Sequence, residues 1–389
     1  MSDSFDQISQ QLKRRHRKST RLKYISMGAL ALAAAFLLIF FTDMLNKGLP
    51  AFKQAMINVE INYSEDAATS GRAAVDRDLT TLISRSVVRT IPLEMRNDPS
   101  LLGTSETRWV LASGAVDQYL KGNRVRGLDS DDMAEIDRLV ASGQIEMQFN
   151  TGFFSRGDSK MAELAGIMSA VVGTVMTMIV TLAIAFPIGV MTAIYLEEFA
   201  PDNRLTQLIE ININNLAAIP SILFGLLGLA IFINFFGVPR SSPLVGGMTL
   251  ALMTLPVIII STRTALRSVP ESIRHAAFGV GCSRWQVVKD HVLPLAMPGI
   301  MTGSIIGLAQ AMGETAPLII VGMVAFIPDV TASFTEAATV MPAQVFTWSG
   351  EPDRAFVEKT AGGILVLLAV LISLNASAVL LRKKFERRW

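Results

Sequence analysis

The sequence predicts an all-α polytopic membrane protein with six transmembrane helices, both termini cytoplasmic, and a small α+β domain inserted after the first helix. Three observations carry that expectation. Hydrophobic residues make up 51% of the 389 and charged residues 17%, against roughly 25% charged in a typical soluble domain. The deficit is concentrated in six charge-free runs, Tyr24–Thr42, Leu164–Leu196, Ile211–Pro239, Ser241–Thr262, Val292–Gly313 and Thr360–Leu381. Each is near or above the ~20 residues that an α-helix needs to cross a hydrocarbon layer ~30 Å thick. Finally, both tails are basic, with Lys13, Arg14, Arg15, Arg17, Lys18, Arg21 and Lys23 in one and Arg382, Lys383, Lys384, Arg387 and Arg388 in the other. Lysine and arginine mark the cytoplasmic side of short flanks, and six crossings return the chain to the side on which it began.

Residues 1–23 are expected to form a basic cytoplasmic tail and 24–42 the first membrane helix. A retained anchor fits better than a cleaved signal peptide, because F-T-D-M-L-N-K-G offers no small-x-small cleavage site. Residues 43–160 are the extracytoplasmic insert. Within it N-V-E-I-N-Y-S alternates like a strand, and Q-I-E-M-Q-F reads as a closing strand. Leu79, Leu82, Ile83 and Val87 fall at helical spacing within Asp76–Arg96, and Ser130–Ser142 opens with an acidic helix start. The insert is expected to be a scaffold or docking surface.

Residues 161–389 hold the remaining five membrane helices. Phe186-Pro187-Ile188-Gly189 predicts a kink, since proline removes a backbone donor. Ile219-Pro220-Ser221 and Gly225-Leu-Leu-Gly228 supply small residues that permit close helix contact in lipid.

Loop 263–297 is polar and punctuated, and its R-H-A-A-F-G-V-G-C-S-R-W-Q core does not resemble a bare connection. Ser268-Val-Pro-Glu271 and Ser283-Arg-Trp-Gln286 both fit the capping box. The spacing predicts one helix through Arg274, His275, Ala276, Ala277 and Phe278, ended by Gly279 or Gly281, and a second that stops near Leu293-Pro294. The small Ala276-Ala277 pair is expected to leave the backbone open to a partner. Arg263 and Arg267 are expected to anchor the preceding helix at the headgroups.

Several function classes are excluded. No G-x-x-x-x-G-K-[ST] is present, so a P-loop nucleotide site is absent. His16, His275 and His291 are the only histidines, too few and too scattered for a zinc hydrolase. The single cysteine, Cys282, forbids an internal disulfide framework, and a net charge of +2 does not point to nucleic acid. A membrane-anchored sensor would need an output domain, which the residues after Leu381 are not expected to supply. Without a convincing nucleophile–base or metal set, an intramembrane enzyme is not expected either.

The spacing Ala276-Ala277, Gly281, Leu293-Pro294 resembles the coupling loop of ABC importer permeases, with His275 in place of the family's glutamate and His291 in place of an isoleucine. The runs Y-L-E-E-F-A-P-D-N-R-L-T-Q-L-I-E-I-N-I-N-N-L-A-A-I-P-S and L-A-Q-A-M-G-E-T-A-P-L are similar to PstA-type phosphate permeases. This resemblance, over roughly Ala162 to Leu381, implies an ABC importer permease fold in the inner membrane. It implies that Arg274, His275, Ala276, Ala277, Gly281 and Arg284 couple to an ATPase. Implied partners are a PstC-type second permease, two PstB-type ATPases that hold ATP and Mg, a PstS-type phosphate-binding protein, and lipid. This chain itself is expected to bind no cofactor.

The implied substrate is inorganic phosphate, with sulfate, molybdate or phosphonate as alternatives. Glu314 is the acid set deepest among the apolar runs, apart from Glu210 near a cytoplasmic end. It is costly in lipid unless paired or facing a cavity, so it either joins two helices by an ion pair or lines the path. Neutral-pH phosphate keeps a proton to donate to a carboxylate, whereas sulfate has none. Thr315 follows it, and Gln310 stands where related permeases often carry arginine. Asn214, Asn215 and Ser221 either bond between helices or line the same path.

Overall fold

The computed structural model describes residues 2–123, 125 and 127–385; the tail residues Arg387 and Arg388 lie outside the described residues. The expected tail and first span are one helix, α1 (Ser2–Gly48). No glycine or proline interrupts residues 2–27, and lysine, arginine, glutamine and leucine are good helix formers, so nothing stops the helix at the membrane boundary.

The insert is an antiparallel sheet with helices on one face. Strands β1 (Lys53–Asn62), β2 (Ser105–Leu111) and β3 (Ile145–Phe149) lie in the order β2-β1-β3. Ile57, Val59 and Ile61 alternate along β1 into a core completed by Ile83, Ile91 and Ile136. One helix differs from expectation. Leu79, Leu82 and Ile83 do not share a helix with Val87: α2 (Arg85–Asn97) starts later, capped by Ser84, whose hydroxyl accepts from the Ser86 N–H. Ile83 instead bridges to Ala112 in extended conformation, and the core is reached all the same. Helix α3 (Ser130–Ala141) begins as expected, with a capping box between Asp129 and Asp132.

Beyond the insert lie α4 (Met168–Ile194), α5 (Arg204–Ala217), α6 (Ser221–Leu227), α7 (Pro243–Arg267), α8 (Glu271–Gly279), α9 (Arg284–Gln286), α10 (Leu293–Gly313), α11 (Ala316–Ile320), α12 (Met341–Ser349) and α13 (Ala355–Phe385). Among the described residues, five helices are long and apolar enough to cross a membrane, and α5 with α6 and its π-helical extension make a further pair bent by 106°. The run Ile211–Pro239 is thus not straight. Pro220 cannot donate to the helix ladder and disfavours helical backbone at Ile219, so the chain turns there. Pro187, by contrast, lies inside the continuous α4.

Helix α7 is the most buried span and lies between α4 and α10. Glycines let these helices approach. A Cβ on Gly303 would overlap the Ser261 side chain, one on Gly247 would overlap Val180, and one on Gly189 would stand 2.7 Å from Ile258. Thr181 donates across the interface to the Gly247 carbonyl at 3.2 Å. Gly225 and Gly228 do the same for α6 against Pro317 of α11 and Thr249 of α7.

The insert is bolted to the block rather than tethered. Trp348 Nε1 donates to Asp158 at 2.8 Å, and Lys121 pairs with Asp117 at 2.7 Å and with Glu358 of α13 at 3.0 Å. Phe52, Phe153 and Trp348 make tilted ring contacts in series, with centroids 5.7 and 6.3 Å apart.

Replacing Gly303 by isoleucine forces α10 from α7 and is expected to cost about 1–3 kcal/mol. The check is the unfolding midpoint of the detergent-solubilised protein, which a well-tolerated side chain would leave unchanged.

Candidate functional site

Two features stand out: the punctuated loop at the end of the block away from the insert, and a pair of broken helices within it. The loop is a built structure. Helix α8 ends in a Schellman turn: Gly281 adopts φ +88°, its N–H donates to the Phe278 carbonyl at 2.9 Å, and the Cys282 N–H donates to Ala277 at 3.1 Å. Only glycine takes that backbone without strain, which settles the choice between Gly279 and Gly281. Ser283 and Gln286 form the predicted capping box of α9.

Two local expectations are corrected. Ser268 does not cap α8; it closes α7, and its hydroxyl donates to the Ala265 carbonyl at 2.7 Å, while Pro270 occupies the N-cap of α8 without a side-chain bond. The second helix does not stop at Leu293-Pro294. It passes through a π-helical turn, Val287–Val292, into α10 and forms one span, Arg284–Gly313. The wider turn changes the ladder register just before Pro294, where an N–H is missing.

The side chains of α8 divide between two directions. His275 and Ala276 are exposed, whereas Ala277 packs with Leu266, Val287 and Val292, so the alanine pair is not jointly open to a partner. Arg274 is turned inward: it donates to Glu198 at 2.7 Å and to the carbonyls of Val269 and Leu266 at 2.7 and 3.0 Å. Arg284 lies over the Phe199 ring, 5.6 Å from its centroid. The outward surface is completed by Phe278, Val280 and Trp285, which are 47%, 80% and 59% exposed and to which the sequence assigns no coupling role. Their signal was apolar residues inside an otherwise polar, capped loop.

Also missed was the acid pair at the end of α4. A π-helical turn, Tyr195–Phe199, presents Glu197 and Glu198. Glu197 accepts from Arg263 at 3.1 Å and from Arg267 at 2.7 Å, and Arg263 reaches Glu210 at 2.6 Å. The two arginines are therefore committed to carboxylates of their own chain rather than to headgroups alone.

The second feature joins two helix breaks. Helix α10 ends at Gly313, Glu314 is extended (φ −77°, ψ 126°), and α11 begins at Ala316. The break lies level with Val245 and Leu250 of α7, which pack with Ala311 and Leu318 on either side of it. Gly225 meets Pro317 and Gly228 meets Val321, so α6 and α11 run the same way and start at the same end, bringing Ser221 towards Thr315. Asn214 and Asn215 occupy the last turn of α5 before the bend and are exposed, as is Gln310 one turn before Glu314. Among the described residues, no side-chain hydrogen bond or ion pair is made by Asn214, Asn215, Ser221, Gln310, Glu314 or Thr315. Of the two readings of Glu314, an ion pair within this chain finds no cation among the described residues.

Residues 185–389 match the family described as binding-protein-dependent transport system inner membrane component, and residues 9–76 and 67–130 match a domain of unknown function. The chain is similar to the phosphate transport system permease protein PstA 1 of Mycobacterium tuberculosis, 30% identical over 57% of this chain and 72% of that protein. It is also similar to the phosphate transport system permease protein PstA of Pasteurella multocida, 30% identical over 54% of this chain and 74% of that one. A probable ABC transporter permease of Bacillus subtilis is 32% identical over 46% of this chain and 60% of its own length. Among solved structures, an inward-facing MetNI methionine ABC transporter chain overlaps 57% of this chain and 98% of its own, with 17% identity and a TM-score of 0.46.

Gly281→Ala is expected to destabilise the loop by about 1–2 kcal/mol, the cost of a left-handed backbone with a Cβ. Hydrogen exchange should rise over residues 275–286 and stay unchanged in α7; unaltered protection of the loop would contradict the assigned turn.

Proposed function

Because the chain belongs to the binding-protein-dependent transport system inner membrane components, as a PstA-type ABC permease and a transport subunit rather than an enzyme, we propose that it is one half of the membrane channel of an inorganic phosphate importer. The observation that carries the substrate is the shared PstA-type core: relatives named for phosphate transport are 30% identical over 57% and 54% of this chain, and the family match over residues 185–389 spans the broken helices and the loop. In this reading the bent pair counts as one span, giving six crossings with both termini cytoplasmic and the insert outside.

A second, PstC-type permease completes the channel, two PstB-type ATPases hold ATP and Mg, and a PstS-type binding protein delivers phosphate from outside. The exposed face of α8 and α9, with His275, Ala276, Phe278, Val280 and Trp285, docks the ATPase, and ATP-driven closure moves the loop. Apolar, exposed residues on an otherwise polar surface are what a protein partner covers.

The broken helices suit the path. Irregular backbone at membrane depth is tolerated only inside protein or beside a water-filled cavity, and transporters commonly build substrate sites from such discontinuous helices. Glu314, Gln310, Thr315, Ser221, Asn214 and Asn215 then line a route shared with the second permease. Glu314 accepts the proton that phosphate retains, which disfavours a fully deprotonated oxyanion. The basic complement for the anion comes from the partner subunit, since Gln310 is neutral.

The test is ATP-dependent uptake of labelled phosphate in vesicles carrying the assembled complex, with sulfate and molybdate as competitors. Phosphate uptake resistant to both competitors is expected; transport of molybdate alone would replace the substrate. In the same assay Glu314→Ala should lower phosphate uptake about tenfold, the loss expected when a hydrogen-bond acceptor for the substrate is removed. An undiminished rate would take Glu314 out of the path.

A further inference from the structure

We infer that Arg274 and Glu198 are positioning residues: their ion pair clamps the coupling helix α8 to the end of α4, so that a push on α8 reaches two membrane helices as one body. The inference rests on the reading above that this loop docks to an ATPase.

The covalent routes from α8 lead to α7, through the three residues Ser268–Pro270, and to α9 and α10, through Val280–Ser283. Helix α4 is remote in sequence and is joined to α8 in two ways. One is apolar: Phe186, Val190 and Ile194 of α4 pack on the cluster that contains Ala277. Such contacts resist compression but let surfaces slide. The other is directional. Arg274 donates through Nη2 to Glu198 Oε1 at 2.7 Å and through Nε to Oε2 at 3.4 Å, a two-point contact that fixes orientation as well as distance.

The same guanidinium also donates to the Leu266 and Val269 carbonyls, at 3.0 and 2.7 Å. Leu266 lies in the last turn of α7 and Val269 in the linker that follows it. One planar group therefore ties three elements together: α8 that carries it, α7 whose end it caps, and α4 through Glu198. Lysine, a point charge on a flexible stem, cannot hold that fork geometry. The side chains of Glu198 and Arg274 are only 10% and 18% exposed, so water and salt screen the pair weakly.

A second clamp runs beside the first. Glu197 holds Arg263 and Arg267, and Arg263 also holds Glu210 of α5. The adjacent acids thus serve different partners: Glu197 binds α4 to α7, and Glu198 binds α4 to α8. The π-helical turn that carries them departs from the regular ladder at the point where the membrane helix meets the loop, a placement common for such turns at functional sites.

The experiment uses the assembled complex with its ATPases, in proteoliposomes. Glu198→Gln and Arg274→Lys, each isolated as intact complex, should lower phosphate moved per ATP hydrolysed about tenfold while ATP hydrolysis itself continues. A second readout is independent of substrate. Spin labels at Ser272→Cys on α8 and Met191→Cys on α4, in a Cys282→Ser background, should keep one separation with and without a non-hydrolysable ATP analogue. The separation should become nucleotide-dependent in Glu198→Gln. Transport per ATP equal to the parent in both variants overturns the clamp, as does a label separation that already shifts with nucleotide in the parent. A parent complex that moves no phosphate removes the substrate reading alone, because the distance measurement needs only nucleotide.

Discussion

Two adjacent carboxylates at the end of one membrane helix, Glu197 and Glu198, set the arrangement of everything at that end of the block. They balance three guanidinium groups, with Glu210 as the third acid. Glu197, Glu198, Arg263 and Arg274 are mostly buried, and removing one partner from a buried pair costs about 3–5 kcal/mol, because the other charge stays behind; Arg267 and Glu210 are more open to solvent. The network is weak as a source of net stability, since both signs were taken from water to make it. Its value is directional. It permits one relative placement of α4, α5, α7 and α8, and so gives a short polar loop a defined position against the helices.

The close packing of α4, α7 and α10 makes that placement consequential. Their interfaces are lined by glycine, with Thr181 bonding across to a carbonyl, and between lipid-immersed helices packing and hydrogen bonds replace the hydrophobic drive. Such surfaces transmit displacement and do not absorb it. The insert is equally fixed, through Lys121, Glu358, Asp158 and Trp348. At the other end of the same bundle, α8 is held by Arg274. Between these rigid ends lie the two breaks, at Pro220 and Glu314, where regular helix gives way and polar side chains find no partners among the described residues.

Much of this was legible in the residues. Apolar runs longer than a bilayer is thick announced the spans, and the bias of lysine and arginine gave an orientation. Gly281, Ser283 and Gln286 announced the turn and the second cap, because capping chemistry is local and is satisfied within a few residues. Where a cap depends on what the neighbouring helix does, local reading failed: Ser268 fits a capping box by spacing, yet it closes α7 instead. Leu79, Leu82 and Ile83 have helical spacing but reach the core from a short helix, a turn and an extended bridge in succession, since burial and not periodicity is what the fold requires of them.

The sequence by itself determined that the chain lies in a membrane, which residues punctuate its loop, and which family it joins, because hydropathy, capping and motif spacing are properties of contiguous residues. Only the tertiary structure decided which charges meet. Glu197 and Arg267 are 70 residues apart, and Glu198 and Arg274 are 76 apart; no local rule pairs them. It also decided that the third run bends by 106°, that Ala277 faces inward while Ala276 faces out, and that Glu314 finds no cation among the described residues. Each is a question of what lies opposite a side chain in space, and that is set by how the helices pack.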